Sequence, residues 1–153
     1  MKKSILTSVF LLTFTLINYA QQKYEYKIIT SVESIIPSGI GRSRLIDANE
    51  TRDYKDFSSN RTEENDHRNK SKRSNIRVKN FEETKLLNFF NIAGIRFQNI
   101  AANDVVTTSK INALAEEGWE LAFTSSAVES YAGKGDTNGI FITRYILKRI
   151  KKE

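Results

Sequence analysis

The chain has 153 residues, a formal net charge of +6, one proline and no cysteine. The absence of cysteine excludes disulfides, thiolate metal sites, catalytic thiols and the lipidated cysteine of a lipoprotein. The length fits a single domain with a modest core, which packing and hydrogen bonds must hold together without covalent cross-links.

The first twenty residues have the pattern of a secretion signal. Lys2 and Lys3 precede an uncharged and mostly apolar run that ends at Ala20. A basic start, an apolar middle and a small residue at the exit are the features that a signal peptidase recognises. An uncut membrane anchor is the alternative, although the run is at the lower limit of the ~17 to 25 residues that a spanning helix needs. We therefore expect residues 1–20 to be a signal peptide cleaved near Ala20, with the rest periplasmic or extracellular and without a transmembrane segment.

Residues 21–46 are expected to open the domain with a strand and the return arm of a hairpin. Apolar and polar residues alternate from residue 23 to residue 34, which is typical of a strand with two different faces. One face carries Tyr24, Tyr26, Ile28 and Val32. A proline and two glycines then break the pattern, and the run Arg44-Leu45-Ile46 predicts a second, shorter strand.

Residues 47–75 are almost entirely polar. A segment of this composition cannot bury enough apolar surface to fold by itself. We predict a mobile excursion, with Tyr54 and Phe57 as its points of attachment to the body. The one histidine of the chain, His67, lies in this segment without regular partners. The sequence therefore predicts neither a histidine metal site nor a histidine-dependent triad, and it contains no motif that indicates a cofactor.

Residues 76–153 are expected to complete the single domain. Ile76 and Val78 predict an edge strand. A helix is then expected from Glu82 to Ala93, because leucine and phenylalanine recur at helical spacing and the following glycine stops the helix.

A second helix is expected to begin near residue 103, although the β-branched residues within 105–108 also fit extended chain. Its end is better defined than its start. Gly118 can take the left-handed conformation after the last turn, and Trp119 can then pack back on Leu114 in a Schellman arrangement. These three residues predict a structural helix stop.

Two more strands are expected, at residues 119–128 and 140–149, joined by a glycine-rich loop at 131–139. The last strand is apolar on both faces, which indicates an interior position. We place it beside the first strand, with both helices on one side of an antiparallel or mixed sheet. The predicted class is α+β.

The run Ala115-Glu116-Glu117-Gly118-Trp119-Glu120-Leu121 resembles a bacterial family known as domain of unknown function 4177. Its members are similar in a first strand like residues 24–29, a helix ending in Gly-Trp-Glu-Leu, and a hairpin that closes on a run like residues 145–149. The leader, the polar excursion and the additional helix depart from the short family pattern and suggest a longer, exported relative. The resemblance implies a fold and no activity.

A second pattern pairs two predicted hairpins. Each begins with Val-Glu-Ser, at Glu33 and Glu129, and each carries an arginine on its return arm, at Arg44 and Arg144. The two glutamates could form a carboxylate pair whose protonation is split by mutual repulsion, with the arginines as binding residues. A bulge near residues 125–126 would be needed to bring both glutamates to the same face. The alternatives are chance similarity and ordinary solvated strand ends.

The sequence carries more evidence against catalysis than for it. We expect a non-enzymatic module that binds a protein or an envelope component through a sheet edge or a loop face. The alternative is a small hydrolase that uses Glu33 and Glu129, since separated carboxylates suffice for glycoside cleavage. Basic and acidic residues share the same segments, which argues against nucleic acid as the partner.

Overall fold

The computed structural model describes residues 22–34, 43–91, 93–130 and 139–151. The predicted leader, the turn after residue 34 and the glycine-rich loop at residues 131–138 lie outside this part of the chain. In chain order the strands are β1 (Tyr24–Ser34), β2 (Arg44–Ala48), β3 (Asn60–Arg61), β4 (Asp66–His67), β5 (Phe81–Lys85), β6 (Phe90–Asn91), β7 (Gly94–Ile95), β8 (Glu120–Glu129) and β9 (Ile140–Ile150). The helices are α1 (Arg73–Ile76), which is a single turn, and α2 (Phe97–Glu116).

Five of the strands form one antiparallel sheet in the order β5-β2-β1-β9-β8. The central strand β1 pairs with β9 along its whole length, from Tyr24 opposite Ile150 to Ser34 opposite Ile140. On its other side it pairs with β2, which in turn pairs with β5. The structure therefore confirms the α+β class and the placement of the last strand beside the first.

The helix α2 covers one face of this sheet, which we call the covered face. Ile29, Leu45 and Leu147 point towards the helix and are at most 2% exposed. They form one core cluster with Leu114 and Trp119 at the C-terminal end of α2, and with Leu86 just after β5. Because side chains alternate along a strand, the neighbours of these residues lie on the opposite side, which we call the open face.

The end of α2 has the hydrogen bonds of a Schellman motif. Gly118 has a φ of +87°. The Gly118 N–H donates to the Ala115 carbonyl at 2.9 Å, and the Trp119 N–H donates to the Leu114 carbonyl at 3.0 Å. The reversal turns the Trp119 side chain back into the core, where it is 8% exposed.

The predicted helix from Glu82 to Ala93 is wrong. Residues 81–85 form strand β5, which pairs with β2 so that Thr84 lies opposite Leu45. Leu86 is buried directly after the strand. Pairing with the edge of β2 satisfies the backbone of this segment, and this tertiary contact outweighs the helical preference of its glutamates and leucines. Of the two helices predicted on one side of the sheet, only the second is therefore present, as α2.

Two other predicted boundaries are also wrong. The helix α2 begins at Phe97 and includes residues 105–108, so the β-branched run is helical. The expected edge strand near Ile76 is the helical turn α1, and Ile76 is half exposed. Both errors concern segments whose local preferences are weak and whose packing partners are distant in sequence.

The polar segment 47–75 begins in β2, and none of its residues after Asp47 is buried. It contains a 3₁₀ turn at Tyr54–Phe57 and the small hairpin formed by β3 and β4. Tyr54 is 73% exposed, so it does not attach the segment to the body. Phe57 is half-buried. The mobility of the segment stays a prediction.

Candidate functional site

The sheet register separates the two glutamates of the predicted carboxylate pair. Glu33 lies opposite Phe141, whereas Glu129 lies opposite Ile140, the neighbouring residue of the same strand. Neighbouring residues of a strand point to opposite faces. Glu33 is therefore on the covered face and Glu129 on the open face. The bulge in β8 lies between Leu121 and Phe123 and does not bring the glutamates together.

The two predicted binding arginines share the open face. Arg44 lies opposite Val32, and Arg144 lies opposite Thr30. They are therefore on the side of the sheet away from Glu33. The two hairpins also differ in register, since Arg44 pairs with the residue that precedes Glu33, while Arg144 pairs with Ser125. The repeat seen in the sequence does not produce two equivalent sites.

Glu33 takes part instead in a polar seam between the sheet and α2. Asn103, which is 3% exposed, donates from Nδ2 to Glu33 Oε1 at 2.6 Å. The same Asn103 amide accepts from the Leu87 N–H and donates to the Leu87 carbonyl, both at 2.7 Å. The Asn103 side chain thus satisfies both backbone groups of Leu87, as a neighbouring strand would, and connects the chain after β5 to the helix. This use of its amide is structural.

Burial changes the acidity of two groups along this seam. Burial raises the pKa of Glu33, and the hydrogen bond from Asn103 only partly opposes the effect, while the charge of Asp104 adds to it. Burial also raises the pKa of the Tyr145 hydroxyl; a hydrogen bond with Ser31 opposes this effect, and the charges of Glu33 and Asp104 add to it. Raised values of this kind occur at catalytic sites and in buried structural networks alike. Here the partners of Glu33 are those of a structural network.

A buried ion network joins the same helix to three strands. Asp47, on β2, is 3% exposed. Its carboxylate lies 2.8 Å from Lys27 Nζ on β1 and 3.1 Å from Lys110 Nζ on α2. Lys110 also lies 3.0 Å from Glu82 on β5. Burial lowers the pKa of Lys110, but its bonds to Glu82 and Asp47 outweigh burial, and the net shift is upward.

Sequence reasoning missed both Asn103 and this ion network. The available signal was a polar stripe on α2, because Asn99, Asn103, Thr107 and Lys110 recur at helical spacing beside the apolar stripe. Such a stripe normally faces solvent. Only the sheet, with Asp47 and Glu33 under the helix, shows that it faces inward.

The open face carries a band of apolar side chains across all five strands. On β1, Ile28 lies opposite Ile146, which lies opposite Phe123. On the other side of β1, Phe81 lies opposite Ala48, and Ala48 continues the same row because its neighbour Asp47 lies opposite Ile29. Ile28 is 48% exposed and Phe123 is 63% exposed. Tyr24, Tyr26 and Ile150 continue the apolar surface towards the ends of β1 and β9, and Tyr26 is 65% exposed. The one helix longer than a single turn among the described residues, α2, lies on the other face of the sheet.

The two edges of the sheet differ. The edge strand β5 has five residues and includes Glu82, Glu83 and Lys85. The edge strand β8 has ten residues, all of them exposed, and its charges are confined to its ends, at Glu120 and Glu129. In the part of the chain that the structure describes, β9 is the only neighbour of β8 in the sheet. Short length and charge protect an edge from further pairing. The strand β8 is long, and it is uncharged between its two ends.

The described residues hold no group of three or more acidic, histidine or cysteine side chains placed to bind a metal ion. Among them, too, no helix combines the length and the apolar character required to cross a bilayer. A comparison with family models found no match, and neither curated proteins nor solved structures matched the chain. The resemblance to domain of unknown function 4177 therefore stays a prediction.

Proposed function

We propose that this protein is an exported, non-enzymatic binding module that takes an extended segment of a partner protein along the edge strand β8. The observation that carries the proposal is the exposure of all ten residues of β8. A strand at the end of a sheet presents unpaired N–H and C=O groups that an incoming strand can satisfy. Strand addition of this kind is a common way to recognise peptides.

The backbone and the exposed side chains of β8 both favour a protein segment as its ligand. Main-chain hydrogen bonds would supply the affinity, and alternate side chains would supply the specificity. Leu121 and Val128, on the side of α2, are 49% and 56% exposed, and Phe123 lies on the open face. The bulge after Leu121 interrupts the ladder, so the regular part of the edge runs from Phe123 to Glu129.

The proposed localisation rests on the leader. A basic start, an apolar run and Ala20 at the exit support export with cleavage near that alanine. The mass of the chain recovered after export tests this part by itself, because cleavage after Ala20 leaves Gln21 at the amino terminus.

The hydrolase alternative has lost the geometry on which it depended. It required Glu33 and Glu129 to face each other across a cleft, as the paired carboxylates of glycosidases do. The register puts them on opposite faces of the sheet. Glu33 itself is held by the buried Asn103 amide, which donates to its Oε1. A binding role therefore has more support than a catalytic one.

Photocrosslinking from the edge tests the proposal. Benzoylphenylalanine is placed at Val128, on β8, in the full chain expressed and exported by its own host. A matched chain carries the same group at Tyr54, which is exposed but lies in the polar segment. We expect a defined adduct with a different protein from Val128 and none from Tyr54. The proposal is wrong if the two positions give the same products, or if Val128 gives no adduct.

Hydrogen exchange on the isolated complex then sharpens the result. Strand addition protects backbone amides of β8 that exchange freely in the unbound chain, because they become hydrogen-bonded to the incoming strand. Amides of β5, at the other edge, should be unaffected. Protection confined to α2 or to β5 would show that the partner binds elsewhere.

A further inference from the structure

The open face is a second surface, which borders the edge of β8 at Phe123 but lies on the flat side of the sheet. It presents Tyr26, Ile28 and Phe123, each about half exposed or more. A five-stranded sheet whose apolar side is partly exposed in the described part of the chain has the form of one half of a sandwich. We infer that a second copy of this chain occupies the open face, stacked sheet on sheet about a two-fold axis that runs along β1.

The order of the strands makes the open face complementary to itself. The central strand is β1, with β2 and β5 on one side and β9 and β8 on the other. Rotation about an axis along β1 lays β5 of one copy over β8 of the second copy and β2 over β9, while β1 faces itself. Each strand of one copy therefore lies over a strand of the second copy, and the three rows of side chains that cross all five strands face each other. Isologous two-fold pairing of this kind is the commonest form of homo-oligomer.

The apolar band matches itself under this rotation. Phe81 at the β5 end of the band faces Phe123 of the second copy at the β8 end. Ala48 faces Ile146 of the second copy, a small residue against a larger one. Ile28 lies on the axis and meets its own counterpart. These pairs follow from the cross-strand register, in which Phe81 aligns with Ala48, and Ile28 with Ile146 and Phe123.

The charges on the open face are also placed to complement each other. Lys85 and Arg44 are cross-strand partners at the β5 and β2 side of the sheet. Glu129 lies at the β8 side, one row further along. The same rotation brings Glu129 of the second copy towards this basic pair. Opposite charges that meet in this way fix the register of an interface.

Arg144 and Glu83 form a second pair of opposite charges that the rotation brings together. Arg144 lies on β9 in the row that also holds Glu83, with Thr30 and Ile46 between them. The axis lays Arg144 over Ile46 of the second copy, next to the Glu83 of that copy. An anionic membrane is a poorer occupant, because Glu83, Glu120 and Glu129 lie at the edges of the same surface and would approach the lipid head groups.

The size of the face sets the expected strength. Five strands at ~4.8 Å and the three rows of side chains that cross all of them, at ~6.8 Å, give ~500 Å² per copy. The total of ~1,000 Å² is at the lower end of specific interfaces. We therefore expect a reversible dimer, with both species present at micromolar concentrations.

Sedimentation velocity of the full chain, purified after export, tests the inference. We expect the mass to rise from one copy to two as the concentration increases. Ile28→Lys places a charge on the axis and should weaken the dimer by about tenfold or more. The matched variant Val105→Lys changes an exposed apolar residue on the solvent side of α2 and should leave the dimer unchanged. A wild-type chain that is monomeric at all concentrations overturns the inference, as does equal behaviour of the two variants.

A charge exchange keeps the test valid if Ile28→Lys fails to fold. Glu129→Lys should weaken the dimer through repulsion from the basic pair, and adding Lys85→Glu should restore it. Both residues are exposed, so neither change disturbs the core. Additive effects without restoration contradict the proposed register. Flotation of a monomeric chain with vesicles of anionic lipid would assign the face to a membrane instead. The crosslink from Val128 is independent of all these results, because that side chain is on the covered face of β8.

Discussion

The two faces of the central strand β1 differ in polarity, and the more polar face is the one that the helix covers. The covered face carries Glu25, Lys27, Ser31 and Glu33 around the buried Ile29. The open face carries Tyr24, Tyr26, Ile28 and Val32. Hydrophobic alternation alone therefore indicates the wrong side as the interior. The charged side chains under α2 are tolerated because each has a partner, which is the condition for burying a charge.

The partners of those charges come from every element around β1. Lys27 pairs with Asp47, Asn103 binds Glu33, and Arg149 binds Glu25 with its Nε 2.5 Å from Oε1. The apolar side chains of the open face have no such partners among the described elements. A partly polar face can therefore hold a helix by specific pairs, whereas an apolar face remains available for another molecule.

The largest expected effect on the free energy of unfolding comes from Leu147 on the covered face of β9, with Ile150 on the open face as its control. Leu147 is fully buried on the covered face, and Ile150 is 54% exposed on the open face. Leu147→Ala should lower the free energy of unfolding by about 3 kcal/mol, through lost burial and the cavity left behind. Ile150→Ala should cost about 0.5 kcal/mol or less. Urea denaturation at a concentration where the chain is monomeric measures both. Similar losses would mean that the open face is part of the core.

The ion network on the covered face gives the next effect. Asp47→Ala leaves Lys27 and Lys110 facing each other without the buried carboxylate, and about 2 to 3 kcal/mol of unfolding free energy should be lost. The control is Asp66→Ala, which breaks the exposed pair of Asp66 with Arg61 on the β3–β4 hairpin and should cost less than about 1 kcal/mol. Equal costs in denaturant titration would show that the network contributes no more than a surface pair.

The helix stop that sets Trp119 into the covered face should contribute less. Gly118 has a φ of +87°, and a Cβ at this position meets no atom within 4 Å. Gly118→Ala should therefore cost about 1 to 2 kcal/mol from backbone strain alone. Gly118→Asn should cost less, because asparagine tolerates the left-handed region better. A loss that does not differ between the two variants would point to a contact instead of the backbone.

The smallest effect concerns pH. The pKa of Glu33 is higher in the folded chain than in the unfolded chain. At a pH between these two values, the folded chain therefore binds the proton more strongly than the unfolded chain does. The contribution of Glu33 to stability is therefore greatest below the unfolded pKa and is lost as pH rises through the folded pKa. Solvent screening at this half-exposed group keeps the change below about 1 kcal/mol. The stability of Glu33→Gln relative to wild type should increase with pH over that window, and a constant difference would contradict the assignment.

Sequence predicted the parts of the fold that depend on local signals. The strands around residues 24–34 and 140–150 follow from alternation, and the helix stop follows from Gly118 and Trp119. The segment 81–85 was predicted incorrectly because its state is decided by an edge of β2, which local preference does not include. Asp47 gave no signal as a buried residue, since its partners Lys27 and Lys110 lie 20 and 63 residues away in the sequence.

The sequence predicted the type of candidate site, a sheet edge, but did not identify the strand that forms it. A sheet edge was expected, but nothing in residues 120–129 shows that this strand is the last of the sheet. The glutamate pair failed because the face of Glu129 depends on the bulge after Leu121, and a bulge reverses the parity of every later residue. Such a feature requires the partner strand to be known.

Trp119 is the only tryptophan of the chain, and the Arg149 guanidinium lies over its ring, 4.2 Å from the centroid. Its fluorescence therefore reports on the covered face alone. Unfolding of the helix–sheet contact should change this emission, whereas occupation of the open face should leave it unchanged and alter only the tyrosine signal of Tyr24 and Tyr26. Trp119 thus follows the covered face without a label. Tyrosine emission is shared with Tyr145, which packs against the core, so a tyrosine change that leaves the Trp119 emission unaltered is the signal of the open face.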